Sequence, residues 1–112
     1  MKIKIIALLV LLAPTLSGAD TLEPLFGYLS DLNGITFQVF SGGCTRKEDF
    51  AIRKEQANGK LRIGLYRTRT DNCFALYSHG IFLDFTYQEL GIENNEYFRI
   101  FNPLVDLRSS RY

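Results

Sequence analysis

Reactive side chains are scarce in this chain, which has one histidine, His79, and two cysteines, Cys44 and Cys73. No GxSxG stretch occurs, so the strained strand-to-helix elbow that exposes a catalytic serine is missing. Metal hydrolysis lacks HExxH and any histidine pair, and two cysteines with one histidine are too few for the usual metal site. Gly42-Gly43 is too short to cradle a phosphate and opens no helix. Charge of either sign is not in excess, with 13 basic and 12 acidic side chains. That balance removes the electrostatic case for nucleic acid or anionic membrane as a partner. No cofactor and no metal are expected.

What is present begins with an export signal. Lys2 and Lys4 give a basic n-region, Ile5 to Leu12 an apolar h-region, and Ser17-Gly18-Ala19 the small residues a signal peptidase reads. The expectation is a signal peptide over 1–19, cleaved before Asp20, and a single domain over 20–112. Retention as a membrane anchor is disfavoured, because Pro14 interrupts a run already shorter than the roughly 20 residues needed to span. No cysteine lies at the cleavage region to carry a lipid. Without Lys2 and Lys4 the mature domain holds eleven basic against twelve acidic side chains, a net charge of −1. The expected location is periplasmic or secreted, where a Cys44–Cys73 disulfide is the default for two cysteines. Closing a loop of about thirty residues is worth roughly 3–4 kcal/mol in the chain-entropy model. A domain this small gains from such a staple.

The stretch between the cysteines reads as a β-hairpin. Phe50, Ile52 and Lys54 alternate with Ala51, Arg53 and Glu55, and Leu61, Ile63 and Leu65 alternate with Arg62, Gly64 and Tyr66. Between the runs, Asn58-Gly59 readily takes the positive φ angles of a tight turn. Arg53, Glu55 and Arg62 then lie on a solvent face as cross-strand charges. Before the hairpin, Leu22, Leu25, Phe26, Leu29 and Leu32 recur with a 3.6-residue period. Thr21 as cap, Pro24 in the first turn and Gly34 as stop fit a short helix there, with Gly27 opposing it. Ile35 to Phe40 alternates as a strand, and Gly42-Gly43 allows the sharp turn that delivers Cys44. Phe74 to Tyr77 reads as a short strand, Ile81 to Tyr87 as a longer one, and Tyr97 to Phe101 as the last, stopped by Asn102-Pro103. Thr86 to Glu89 fits a capping box with Gly91 as the helix stop. The tail from Val105 is expected to fray. The fold class is mainly β: a small antiparallel sandwich or open barrel of five to six strands with a short N-terminal helix and one disulfide.

Function reads as recognition. Tyr66, Tyr77, Phe82, Tyr87, Tyr97 and Phe98 supply more aromatics than one buried face absorbs, and aromatics with Arg anchor protein interfaces. Beside Cys73 lies the polar loop Arg67 to Asn72, and a staple-supported loop presenting Arg could fill an acidic pocket of a partner enzyme at low entropic cost. Arg67, Arg69 and Asp71 are the candidate contacts, with Arg69 as anchor. The expectation is therefore a binding domain without enzymatic activity, an enzyme inhibitor in its sharpest form. One alternative is an envelope-associated structural protein; another is a small hydrolase using His79 with a carboxylate such as Asp49, Asp71, Asp84 or Glu89. Gly43 to Phe50, Thr70 to Cys73, Glu89-Leu90-Gly91 and Asn102-Pro103 together resemble the pattern of small exported bacterial β proteins. The resemblance covers nearly the whole mature chain and implies a periplasmic or secreted β domain, nothing about substrate.

Overall fold

The computed structural model describes residues 20–75, 77–93 and 96–106. The signal peptide expected over 1–19 and the tail beyond Asp106 lie outside these residues. Seven strands are described: β1 (Thr21–Leu22), β2 (Gly27–Ser30), β3 (Gly34–Val39), β4 (Phe50–Ala57), β5 (Lys60–Arg67), β6 (Ile81–Thr86) and β7 (Phe98–Ile100). A 3₁₀ turn, Lys47–Asp49, precedes β4, and a single helical turn, α1 (Tyr87–Leu90), follows β6.

The β4–β5 hairpin is the longest paired unit, with Phe50↔Arg67 at its open end and Ala57↔Lys60 at its turn. Asn58 at φ 55° and Gly59 at φ 76° make the turn, the left-handed pair whose twist matches flanking strands. On its outer face Glu55 stands opposite Arg62 and ion-pairs with it, as the alternation predicts. Tyr66 and Phe101 meet edge to face above Gly64, and Arg53 and Arg62 stack on those rings.

The other edge of β5 is shared. β1 pairs antiparallel with Tyr66 and Arg67, and β7 pairs parallel with Leu61 to Ile63, so the sheet is not wholly antiparallel. The second sheet runs β2-β3-β6, all antiparallel. Ile35, Phe37, Val39, Leu83 and Phe85 from this sheet join Phe50, Leu61, Ile63 and Leu65 from the first in one core. Leu25, Leu90 and Ile92 complete it. Burying each such side chain is worth about 1.5–3 kcal/mol.

The helix expected from Thr21 to Asn33 does not form; β1, a bridge at Leu25 and β2 occupy that stretch. Of its periodic stripe Leu25 is fully buried, whereas Leu29 is 68% and Leu32 95% exposed. A helix would have brought these three to one face, so the period is not the one the chain uses. Asp31 decides the outcome locally: its Oδ1 accepts the N–H groups of Asn33 and Gly34, making a turn that folds β2 onto β3. No strand is formed by the described residues of Phe74 to Tyr77 either; Phe74, Ala75 and Tyr77 are irregular. At α1 the expected capping box is in place, with Thr86 Oγ1 accepting from Glu89 N–H and Glu89 accepting from Thr86 N–H. The Lys47 ammonium, and after it the Thr86 N–H, hold the Glu89 carboxyl below its ordinary value.

Candidate functional site at the disulfide

Cys44 and Cys73 are bonded, with their Cα atoms 5.7 Å apart. The two arms they join also lie flush. Ala75 N–H donates to the Gly42 carbonyl, and a Cβ on Gly42 would sit 2.4 Å from the Cys73 carbonyl oxygen. Only glycine permits that approach.

Asp71 occupies the concavity between the arms. Its Oδ2 accepts from the N–H groups of Gly42 at 2.8 Å and Cys44 at 3.1 Å and from the Thr45 hydroxyl at 2.5 Å. Its Oδ1 accepts from Cys73 N–H at 2.9 Å. Of the backbone amides that a Gly-Gly turn could offer to a phosphate, that of Gly42 is taken by the chain's own carboxylate and that of Gly43 by the Ser41 hydroxyl. Burial pushes the Asp71 carboxyl up, but the Thr45 hydroxyl and the N–H groups of Cys73, Gly42 and Cys44 outweigh it and hold the group well below the usual carboxylate range. A depressed folded-state value stabilises above the unfolded aspartate value of about 3.9 and is lost as pH falls below it. We expect Asp71→Asn to lower stability by about 2 kcal/mol at neutral pH. Denaturation curves of variant and wild type should converge as the pH is taken into the acid range. A gap independent of pH would show that the ionised form is not what the loop requires.

Thr45 passes the network on. Arg67 Nη1 donates to Thr45 Oγ1 at 3.0 Å, and Arg67 Nη2 donates to the Phe40 carbonyl at 2.9 Å. Its Nε and Nη2 make a two-pronged pair with Glu23 at 2.8 and 2.7 Å. Glu23 is buried, its side chain 5% exposed, and the Arg67 side chain is 11% exposed. Arg67 also stacks on Phe50, 4.7 Å from the ring centre. Arg67 and Asp71, both partly buried, thus brace the loop. Arg69 is the most exposed of the three candidates, with a long 3.9 Å pairing to the buried Asp49. Asp49 in turn accepts from Arg46 N–H, and its carbonyl takes the Thr68 N–H and hydroxyl.

Two residues of this site were outside the sequence reading. Glu23 looked like one helix residue among others, because nothing local marks its partner 44 positions away. Phe74 follows Cys73 directly and is 97% exposed, though its apolar character fits a strand. Tyr77, half exposed, lies on the same arm.

Cys44, Cys73 and Asp71 gather potential metal-binding atoms within 4.8 Å of one another. With the sulfurs joined neither cysteine offers a thiolate, and the Asp71 oxygens are already engaged by donors. His79 is exposed in a turn closed by Gly80 N–H on the Tyr77 carbonyl, and its Nδ1 lies 3.0 Å from the Ser78 hydroxyl. Of the carboxylates weighed with it, Asp49 and Asp71 serve the loop, Asp84 accepts from the Thr36 hydroxyl and Glu89 caps α1. Comparison with family models, with curated proteins and with solved structures returns no match for this chain.

Proposed function

We propose that this chain is an exported, periplasmic or secreted domain that acts by binding a protein. Its contact surface is the Cys44–Cys73 loop, with Phe74 as apolar anchor and Arg69 as charged anchor. The observation that carries this reading is Phe74, an almost fully exposed phenyl ring on a braced backbone. The residue before it is a half-cystine, its neighbour Ala75 is hydrogen-bonded across the loop, and Asp71 ties both arms. An aromatic ring left in water is unfavourable for an isolated monomer, whereas a preorganised ring and guanidinium lose little entropy on docking. An inhibitor that fills a pocket of an extracellular or cell-envelope enzyme is the form of this activity that best uses such a loop.

The test is capture by the immobilised oxidised domain, Asp20 to Tyr112, from envelope and culture-supernatant extracts. A retained enzyme should be inhibited by the soluble domain. Phe74→Ala should weaken that inhibition about 30-fold or more, the range of an aromatic hot spot. Arg69→Ala should weaken it less, and both variants should melt with the wild type, since neither side chain packs inside. Undiminished inhibition by the double variant would remove the loop from the interface.

A further inference from the structure

The outer face of the first sheet carries more positive charge than it neutralises. Leu61, Ile63 and Leu65 of β5 enter the core, so Lys60, Arg62, Gly64 and Tyr66 turn outward. In β7, Phe98 and Ile100 pack against the core, and Arg99 stands beside Arg62 in the register of the two strands. Glu55 pairs with Arg62 and Asp20 with Arg53, which engages both carboxylates. Arg62 also lies over the Phe101 ring. Among the described residues no acceptor or ring meets the side chain of Lys60 or of Arg99. Like charges abreast on neighbouring strands repel, so Arg99 stands to gain from an added anion.

Both unpaired cations border one groove. It lies where the Asn58-Gly59 turn meets the start of β7, has a volume of about 510 Å³ and is bordered by Gly59, Lys60, Leu61, Tyr97, Phe98 and Arg99. Nothing lies within 4 Å of the place where a Gly59 Cβ would stand, so that side is open. Tyr97 is 92% exposed, an aromatic ring in water next to two cations. Two residues apart on an extended chain, Tyr97 and Arg99 are separated by roughly 7 Å, the reach of one sugar ring with its carboxylate.

The chemistry narrows the occupant. An ammonium and a guanidinium call for carboxylate oxygens. A tyrosine ring standing in solvent offers its negative face to the C–H groups of a pyranose, while the sugar hydroxyls stay in water. A wholly apolar acid would gain little on so open a surface, and a bare anion would leave Tyr97 unused. We propose that this groove binds an acidic saccharide, a uronic-acid chain whose ring stacks on Tyr97 and whose carboxylates pair with Lys60 and Arg99. β5 runs eight residues from Lys60 to Arg67, roughly 23 Å, so the site is separate from the disulfide loop at the other end of the hairpin.

Amide shift mapping on the oxidised protein tests this. Trigalacturonate at low salt should shift the N–H signals of Gly59, Lys60, Tyr97, Phe98 and Arg99 and leave those of Asn72 to Ala75 in place. Tyr97→Ala should weaken binding about tenfold, and Lys60→Gln with Arg99→Gln more. Melting should be unchanged in these variants, since all three side chains are exposed. Added salt should weaken binding by the wild type and scarcely affect the double variant. Maltotriose, a neutral trisaccharide, should leave the spectrum unchanged. No response to trigalacturonate would overturn the proposal. So would an equal response to maltotriose, which makes the cations irrelevant, or an equal response to inorganic phosphate or a hexaglutamate peptide, which makes the ring irrelevant.

Discussion

Arg67→Ala is expected to lower the unfolding free energy by about 3–5 kcal/mol, the effect of leaving a buried charge without its partner. Glu23 stays behind at 4% exposure with its carboxylate stripped of both guanidinium prongs. The Phe40 carbonyl and the Thr45 hydroxyl also lose a donor, and Phe50 loses the cation over its ring. Small domains hold roughly 5–15 kcal/mol in all, so the variant should be marginal at room temperature. Arg67→Lys keeps the charge but cannot form the planar fork, and should fall between the two. Replacing both partners, Arg67→Met with Glu23→Leu, should recover most of the loss, since a well-packed apolar pair can equal a buried ion pair. Denaturant unfolding of the oxidised domain reads all four proteins. A loss below about 1 kcal/mol for Arg67→Ala, the range of exposed pairs, would mean that water reaches the site.

The second large effect is expected at Asn102. Its carboxamide completes the shared edge of β5 in the interval between β1 and β7. Oδ1 accepts from Leu65 N–H at 2.9 Å, while Nδ2 donates to the Leu65 carbonyl at 2.8 Å and to the Glu23 carbonyl at 2.7 Å. The side chain thus stands in for a peptide unit that neither strand supplies. Asn102→Ala orphans a buried donor at Leu65 and a buried acceptor at Glu23; the Leu65 carbonyl keeps the Glu23 N–H. At roughly 1–3 kcal/mol for each unsatisfied group, the loss should be about 2–6 kcal/mol. Asn102→Asp should be worse at neutral pH, because a carboxylate would face two carbonyl oxygens. If Asn102→Ala unfolds at the wild-type denaturant concentration, water has taken over the carboxamide's bonds.

Neither site was legible as such. Asn102-Pro103 reads correctly as the stop of the last strand, but its role depends on partners 37 and 79 positions away. The same holds for Arg67, placed in a polar loop by its neighbours Thr68 and Arg69 and yet the final residue of β5. Local chemistry, by contrast, was well written. Asn58-Gly59, the Thr86–Glu89 box and the alternation of β3, β4, β5 and β6 each need only neighbouring residues to specify them. The first segment failed because two local signals competed. Five apolar residues at helical spacing outweighed Gly27, and Gly34, read as a helix stop, instead belongs to the Asp31 turn between β2 and β3. At the disulfide loop the residue types pointed to a braced, polar turn, and Arg69 was placed in solvent. Which arginine would be spent inside, and that Phe74 would be left outside, required the crossing of two arms distant in sequence.

Asn102 joins Glu23, near the start of the described residues, to the middle of β5. A chain emerging from a ribosome or a translocation pore can close the β4–β5 hairpin early, since its contacts are local. It cannot finish the flank of that hairpin until the last strand has cleared the exit. Until then Leu61, Ile63 and Leu65 offer both their N–H and C=O groups to any passing strand. The vulnerable interval is therefore the time needed to deliver the final few dozen residues, and a holding chaperone would act on β5 during that interval.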